Sequence, residues 1–437
     1  MQQTSQPLEV NEAGHLVIGG VDSLELANQY QTPLVAYDVT KIRDQIRRFK
    51  QVFETAGVDY AVSFASKALA IKAIYQVMKA EGAHADVVSG GELYTAKSAG
   101  FPMANVSYHG NNKSKQELTE ALDAGVGMIV IDNFHEIDLL KELLAERKQK
   151  QAVILRLTPG ITAHTNEYIQ TGQVDSKFGF DLASGQADRA LQLVLADDHF
   201  DVRGIHAHIG SQIFDVQGFA GVAKKLVEVA KHFQTEFDYV PTIINVGGGF
   251  GIRYISDDHP QAPEAFVKTI VDEIKTATAE ANLPMPAIWI EPGRSLVGPA
   301  GYNLYTVGSR KDIPGFKPFV SVDGGMGDNI RPALYQAEYE TVLARDPKAA
   351  ATETVRIAGK YCESGDILSQ GQLLPATHPG DVLAMLATGA YGYSMASNYN
   401  RNPRPAVVFV ENGESHLVVK RESYADLVQN DQDYPNA

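Results

Sequence analysis

Lys67 stands in the stretch Val58-Asp-Tyr-Ala-Val-Ser-Phe-Ala-Ser-Lys-Ala-Leu-Ala-Ile-Lys-Ala-Ile-Tyr75, flanked by Ala, Ser and Leu rather than by acids. In an enclosed turn with no charge to pair with, the ammonium form is disfavoured, the pKa falls, and the free amine can attack a carbonyl. The competing reading is a surface lysine that closes a strand, since buried lysines are rare. Glu291-Pro-Gly-Arg294 offers a carboxylate that could hold a heterocyclic nitrogen protonated, beside an arginine able to grip a phosphate or carboxylate at two points. It could equally be a local ion pair in a loop.

Three further stretches could do chemistry. Ile205-His206-Ala-His208-Ile-Gly-Ser211-Gln places two imidazoles on one strand face, which suits a metal-dependent hydrolase or, with one ring only, stacking on an aromatic cofactor. A metal site needs more histidines and a carboxylate from other strand ends. Only His109 is available there, so the expected metal content is none. Val246-Gly-Gly248-Gly249-Phe-Gly251 lets backbone N–H groups converge on an anion, while the spacing of a dinucleotide fingerprint is absent. The lone cysteine, Cys362, sits in Lys360-Tyr-Cys-Glu363-Ser-Gly-Asp366, where flanking acids and glycine are poor company for a core thiol.

These residues need elements to position them. From residue 57 to about 294, eight short apolar runs each end in a polar or glycine-rich residue: Asp59 to Phe64, Ala83 to Ala85, Val106 to Tyr108, Met128 to Ile131, Ala152 to Leu155, Val202 to Ala207, Ile243 to Val246 and Ala287 to Ile290. Helical spacing fills Glu92 to Ala99, Lys115 to Ala124, Glu136 to Lys150, Phe219 to Phe237 and Pro263 to Ala281. Ala68 to Lys79 also reads as helix, which puts Lys67 on a strand-to-helix turn. Eight such alternations close a (β/α)8 TIM-type barrel, whose C-terminal mouth would gather Lys67, Asp86, His109, Arg156, His208 and Glu291. Pro159 to Phe180 has neither period and is expected to be a lid, with Gly172 and Gly179 as hinges.

After residue 296 the pattern becomes that of antiparallel strands, with Asn412-Gly413 as a hairpin turn. The expected fold class is α/β: the barrel over 36–296, and a β-rich, sandwich- or barrel-like domain from 297–437 that also takes 1–35. The chain has 437 residues with Lys+Arg 38 against Asp+Glu 53, a net charge of −15 that argues against nucleic-acid and anionic-membrane partners. No apolar run is long enough to span a bilayer and the N-terminus lacks a secretory pattern, so a cytoplasmic location is expected. One cysteine excludes an internal disulfide framework.

Taken together, from about Tyr37 to Ala425, the segments Asp86-Val-Val-Ser-Gly-Gly-Glu-Leu-Tyr, His109-Gly-Asn-Asn-Lys, His164-Thr-Asn-Glu-Tyr-Ile-Gln-Thr-Gly with Ser176-Lys-Phe-Gly, His208-Ile-Gly-Ser-Gln, Glu291-Pro-Gly-Arg, Cys362-Glu-Ser-Gly-Asp and Gly389-Ala-Tyr391-Gly resemble the fold-type III pyridoxal-phosphate-dependent decarboxylases. The match is looser at one point: many relatives follow the lysine with Ala-Asn, and here Ala68-Leu69 follows.

The resemblance implies pyridoxal 5'-phosphate bound covalently by Lys67, with His208 stacked on its ring. Glu291 would pair with the ring nitrogen, and Ser211, Gly248, Gly249, Gly293, Arg294 and Tyr391 would complete the cofactor site. It implies Arg294, Arg331, Tyr335, Glu363 and Tyr391 as substrate-binding residues and Cys362 as proton donor. The family completes its site across a homodimer, so Cys362 and Glu363 would serve the neighbouring chain. The implied reaction is decarboxylation of meso-2,6-diaminopimelate at its D-centre to L-lysine and CO2. The distal ammonium and carboxylate of that substrate suit Glu363 beside Arg294 and Arg331, whereas ornithine would leave an arginine facing no anion. A related decarboxylase of ornithine, arginine or carboxynorspermidine is the alternative, followed by a non-catalytic binding relative.

Overall fold

Eight of the apolar runs become parallel strands: Tyr60–Ala65, His84–Val87, Val106–Tyr108, Met128–Ile131, Gln151–Thr158, Phe200–His206, Ile243–Asn245 and Ala287–Ile290. The computed structural model of the chain describes residues 7–160 and 176–435. In it the strands pair in sequence order and the last pairs with the first, Ile288 in register with Tyr60, so the sheet closes on itself. All four residues of Met128–Ile131 are buried, as expected when helices cover the outside and side chains fill the inside.

The crossover helices begin and end where local chemistry dictates. Lys115–Ala124 opens with a capping box, in which the Ser114 hydroxyl accepts from the Glu117 N–H and the Glu117 carboxylate accepts from the Ser114 N–H. It stops at Gly125, whose φ of 71° is left-handed. Pro263–Ala281 starts on its proline, where a missing N–H costs nothing.

Packing divides the chain into two units. Arg43–Ile252 with Pro260–Leu296 forms the barrel unit; the remainder, including Arg253–His259, forms the second. The second unit is a sheet in the strand order Ile367–Leu374, Glu353–Ala358, Phe319–Val322, Gly301–Lys311, Leu34–Asp38, Ala406–Glu411, Glu414–Val419, with Val382–Met385 also pairing with Gly301–Lys311. Leu34, Ala36, Tyr302, Leu304, Ala384 and Val408 fill its core. Asn412 and Gly413 have φ of 54° and 80°, the two left-handed positions that a tight hairpin turn requires.

Several expectations are corrected. Ala68–Lys79 is not one helix: a 3-10 turn, Ser66–Ala68, carries Lys67, and the helix runs Lys72–Ala80. Residue 36 is no boundary, because Leu34–Asp38 lies whole between Gly301–Lys311 and Ala406–Glu411. Helices Ser23–Tyr30 and Gln186–Leu195 and strands Thr341–Leu343 and Ile367–Leu374 were not anticipated. Ile367–Leu374 is an edge strand whose Ser-Gln-Gly-Gln centre hides its period. Most of the expected lid, 161–175, lies outside the described residues.

Candidate active site

The end of the eighth barrel strand places Glu291 inside the barrel, 8% exposed. Three side chains converge on its carboxylate. Asn245 Nδ2 donates to Oε1 at 2.6 Å and His206 Nε2 pairs with Oε2 at 3.2 Å. His109 Nε2 comes within 3.1 Å of Oε1 but outside hydrogen-bonding geometry. Burial pushes the Glu291 carboxyl up, but the His109 and His206 imidazoles outweigh it and hold the carboxyl well below the usual carboxylate range. His206 itself is pushed down to about 4, chiefly by burial, so at neutral pH the ionised carboxylate faces a neutral His206 ring.

The sequence presents His206 only as half of a metal pair, and no motif marks Asn245. Both close apolar strands, Phe200–His206 and Ile243–Asn245, and that terminal polar position was the available signal. The donors of His109, His206 and Glu291 lie within 4.8 Å of one another, so the expectation that only His109 could join the His206–His208 pair is corrected: a carboxylate is also at hand, while His208 is not in the group. Two histidines and a carboxylate are donors of the kind a metal hydrolase uses. The rest of the site separates the two readings, because a hydrolase needs neither a lysine turn nor a glycine cradle.

That cradle follows the seventh strand. A Cβ on Gly248 would lie 2.0 Å from the Glu291 carbonyl oxygen, and one on Gly249, at φ 103°, would lie 2.1 Å from the Gly210 carbonyl oxygen. Only glycine allows so close an approach of backbones. The amides do not all face an anion as expected: Gly247 donates to Asn245 Oδ1 at 2.9 Å, Gly248 to His208 Nδ1 at 3.2 Å, and Gly251 to the Ile213 carbonyl at 2.9 Å. Among the described residues, the Gly249 and Phe250 N–H groups are left to receive one. Arg294, buried, donates to Ser211 Oγ from Nη2 at 3.0 Å, which brings two of the expected cofactor-site residues together. Gly293 packs against the lysine turn, its Cβ position 2.9 Å from Ala65 Cβ.

The Gly248 bond leaves the His208 proton on Nε2. Burial first, then the positive Lys67 and Arg156, push this ring well below its ordinary pKa. Asp86 accepts from the Ser66 N–H at 3.2 Å and so holds the turn that presents Lys67. Burial, reinforced by the Glu291 charge, raises its carboxyl well above the usual range, while Lys67 opposes the rise. The expectation of an enclosed, charge-free Lys67 is corrected: the residue is exposed, and Asp86 and Glu92 both feel its charge. Arg156 stacks on Phe178 at 4.2 Å from the ring centroid, with Nη1 3.8 Å from Asp132 Oδ1.

The remaining expected residues belong to the second unit. Cys362 and Glu363 are exposed on a loop: the Cys362 N–H donates to Asn400 Oδ1 at 2.7 Å, and buried Asp366 accepts from the Tyr361 and Met326 N–H groups. Arg331 is buried in the helix Arg331–Tyr335, bonded to the Tyr339 hydroxyl and 5.0 Å over the Tyr254 ring, and Tyr335 is half-buried. Tyr391 sits at a left-handed φ of 64°.

Residues 39–298 match the family model described as pyridoxal-dependent decarboxylase, pyridoxal binding domain. The chain is 56% identical to a diaminopimelate decarboxylase of Bacillus methanolicus, over 94% of this chain and 96% of that protein. It is 54% identical to the one of Bacillus subtilis, over 96% of each. A crystal structure of the diaminopimelate decarboxylase of M. jannaschii in complex with L-lysine superposes with a TM-score of 0.90 at 34% identity, covering 99% of both chains. Pyridoxal phosphate fits the residues present: an ionised buried carboxylate suits a ring N–H⁺, and the glycine cradle with Ser211 and Arg294 suits a phosphate. The chain belongs to the diaminopimelate decarboxylases, within the pyridoxal-dependent decarboxylase family.

Proposed function

We propose that this chain decarboxylates meso-2,6-diaminopimelate at its D-centre, giving L-lysine and CO2. The observation that carries the reading is Glu291, kept anionic inside the barrel by His206, Asn245 and His109. When bound, pyridoxal phosphate supplies an aldehyde that captures an amine and a protonated ring that accepts the electron pair released as CO2 leaves. Lys67 would hold that aldehyde through its Nζ in the resting enzyme, leaving it open to exchange with the substrate amine. Glu291 holds the proton on the ring nitrogen, and an acid frozen in place by three neighbours spends no reorganisation in doing so. His208, its ring oriented by the Gly248 N–H that donates to Nδ1, would stack on the cofactor ring.

Gly249, Gly293, Arg294, Ser211 and Tyr391 take the phosphate. Arg294, Arg331, Tyr335, Glu363 and Tyr391 bind substrate, the two arginines and Glu363 answering its distal carboxylate and ammonium. After CO2 departs, Cys362 Sγ–H donates a proton to the carbon that carried the carboxylate. The exposure of Cys362 and Glu363 on their loop supports a homodimer in which each chain lends them to its partner's Lys67. A free thiol in that role is compatible with a reducing, cytoplasmic setting.

The test is product analysis with purified, cofactor-loaded protein. Equimolar CO2 and L-lysine from meso-diaminopimelate, with little turnover of ornithine, is the expected result. Predominant ornithine turnover would move the substrate to the diamine branch.

A further inference from the structure

The phrase His109-Gly-Asn-Asn-Lys113 ends in a lysine to which the reaction assigns nothing. Lys113 is nonetheless among the most deeply enclosed charges in the barrel, its side chain and that of Glu136 each 1% exposed, with Nζ 2.7 Å from Glu136 Oε1. Its other two protons go to the carbonyls of Gly110 and Val130, at 2.9 and 2.8 Å, so all three donors are used. Glu136 Oε2 accepts from the Asp132 N–H at 3.0 Å.

These bonds join two loops at the mouth. Gly110 follows His109, whose Nε2 faces Glu291. Val130 and Asp132 end the fourth strand, and Asp132 faces Arg156. Asn133 Nδ2 adds a bond to the Asn111 carbonyl at 3.0 Å. A buried ion pair is weak evidence of stabilisation, because desolvation offsets its attraction, but it fixes geometry strongly. We infer that the buried Lys113–Glu136 pair is a positioning device that sets His109 against Glu291, and through Glu291 governs the ring-nitrogen end of the cofactor. Neither residue touches substrate. The inference rests on the decarboxylase reading above.

The test replaces the pair by a neutral one of similar volume, Lys113→Met with Glu136→Gln, in the full-length, cofactor-loaded enzyme. Expected are a shifted visible absorption band, weaker cofactor binding, and a kcat lower by on the order of 10- to 100-fold. The substrate KM should change by less than about 3-fold, since substrate contacts come from other residues. Because the pair acts through His109, the same change made in a His109→Ala background should cost less than about a further 3-fold.

A folded double variant with wild-type absorption and kcat would overturn the inference, as would penalties that multiply in the His109→Ala background. If the double variant does not fold, the nearly isosteric Glu136→Gln alone decides by the same spectrum and kcat, wild-type values again overturning the inference. An inactive, colourless wild-type enzyme would strike the decarboxylase reading instead.

Discussion

In the proposed reaction Glu291 and Lys67 divide the chemistry between a charge that must stay and an amine that must leave. Replacing Lys67 by Ala should abolish both the visible cofactor band and turnover, read by absorbance and CO2 release. Replacing Cys362 by Ala should keep the band and lower kcat by about 10²–10⁴-fold, the usual worth of a positioned acid; an unchanged rate would assign the proton to another group. His206 makes a pH prediction. Its folded-state pKa, about 4, lies below the ordinary 6.5, so between those values the unfolded chain binds more protons. Stability is therefore full above about pH 6.5 and falls as pH drops toward 4, by about 3 kcal/mol. Glu291, whose pKa is depressed, adds a loss only below the ordinary carboxylate range. In cofactor-free protein, His206→Gln should flatten the upper part of this acid limb in denaturant melts; parallel curves for the two proteins would contradict the assignment. The placement of Glu291, Lys67 and His208 just beyond barrel strands was legible in the sequence, because each stands at the polar end of an apolar run. Asn245 was not, because what makes it part of the site is its bond to Glu291, 46 residues away.

At the scale of elements, the glycine run after the seventh strand makes the firmest prediction. Gly249→Ala combines a left-handed φ with a contact on the Gly210 carbonyl, so it should weaken cofactor binding and destabilise the fold by about 1–3 kcal/mol. Cofactor titration and thermal melts measure both, and wild-type values would mean that the cradle tolerates a side chain. Strand and helix periods located the barrel well: Val106–Tyr108, Met128–Ile131, Lys115–Ala124 and Pro263–Ala281 match the expected bounds. Turns were less legible. The Ala and Ile residues after Lys67 carry a helical pattern, yet the backbone makes a 3-10 turn whose Ser66 N–H is claimed by Asp86, a tertiary bond that local propensity does not contain.

For the whole molecule, the proposed reaction requires the loop carrying Cys362 to serve a barrel carrying Lys67. If each site takes Cys362 from the partner chain, Lys67→Ala and Cys362→Ala homodimers are both inactive. A mixture exchanged at equal amounts contains half heterodimers, each with one intact site, and should recover about a quarter of wild-type turnover. No recovery despite proven subunit exchange would place both residues in one chain's site. The sequence expectation ends the N-terminal segment at residue 35, inside the strand Leu34–Asp38, because its four apolar or amphipathic residues and one aspartate suit either sheet equally. The claim on which the rest depends is that Lys67 carries the cofactor. Borohydride reduction of the yellow enzyme followed by peptide mass mapping tests it directly. A single pyridoxyl group on the peptide containing Lys67 is the expected result; the label on another lysine, or none, would contradict it.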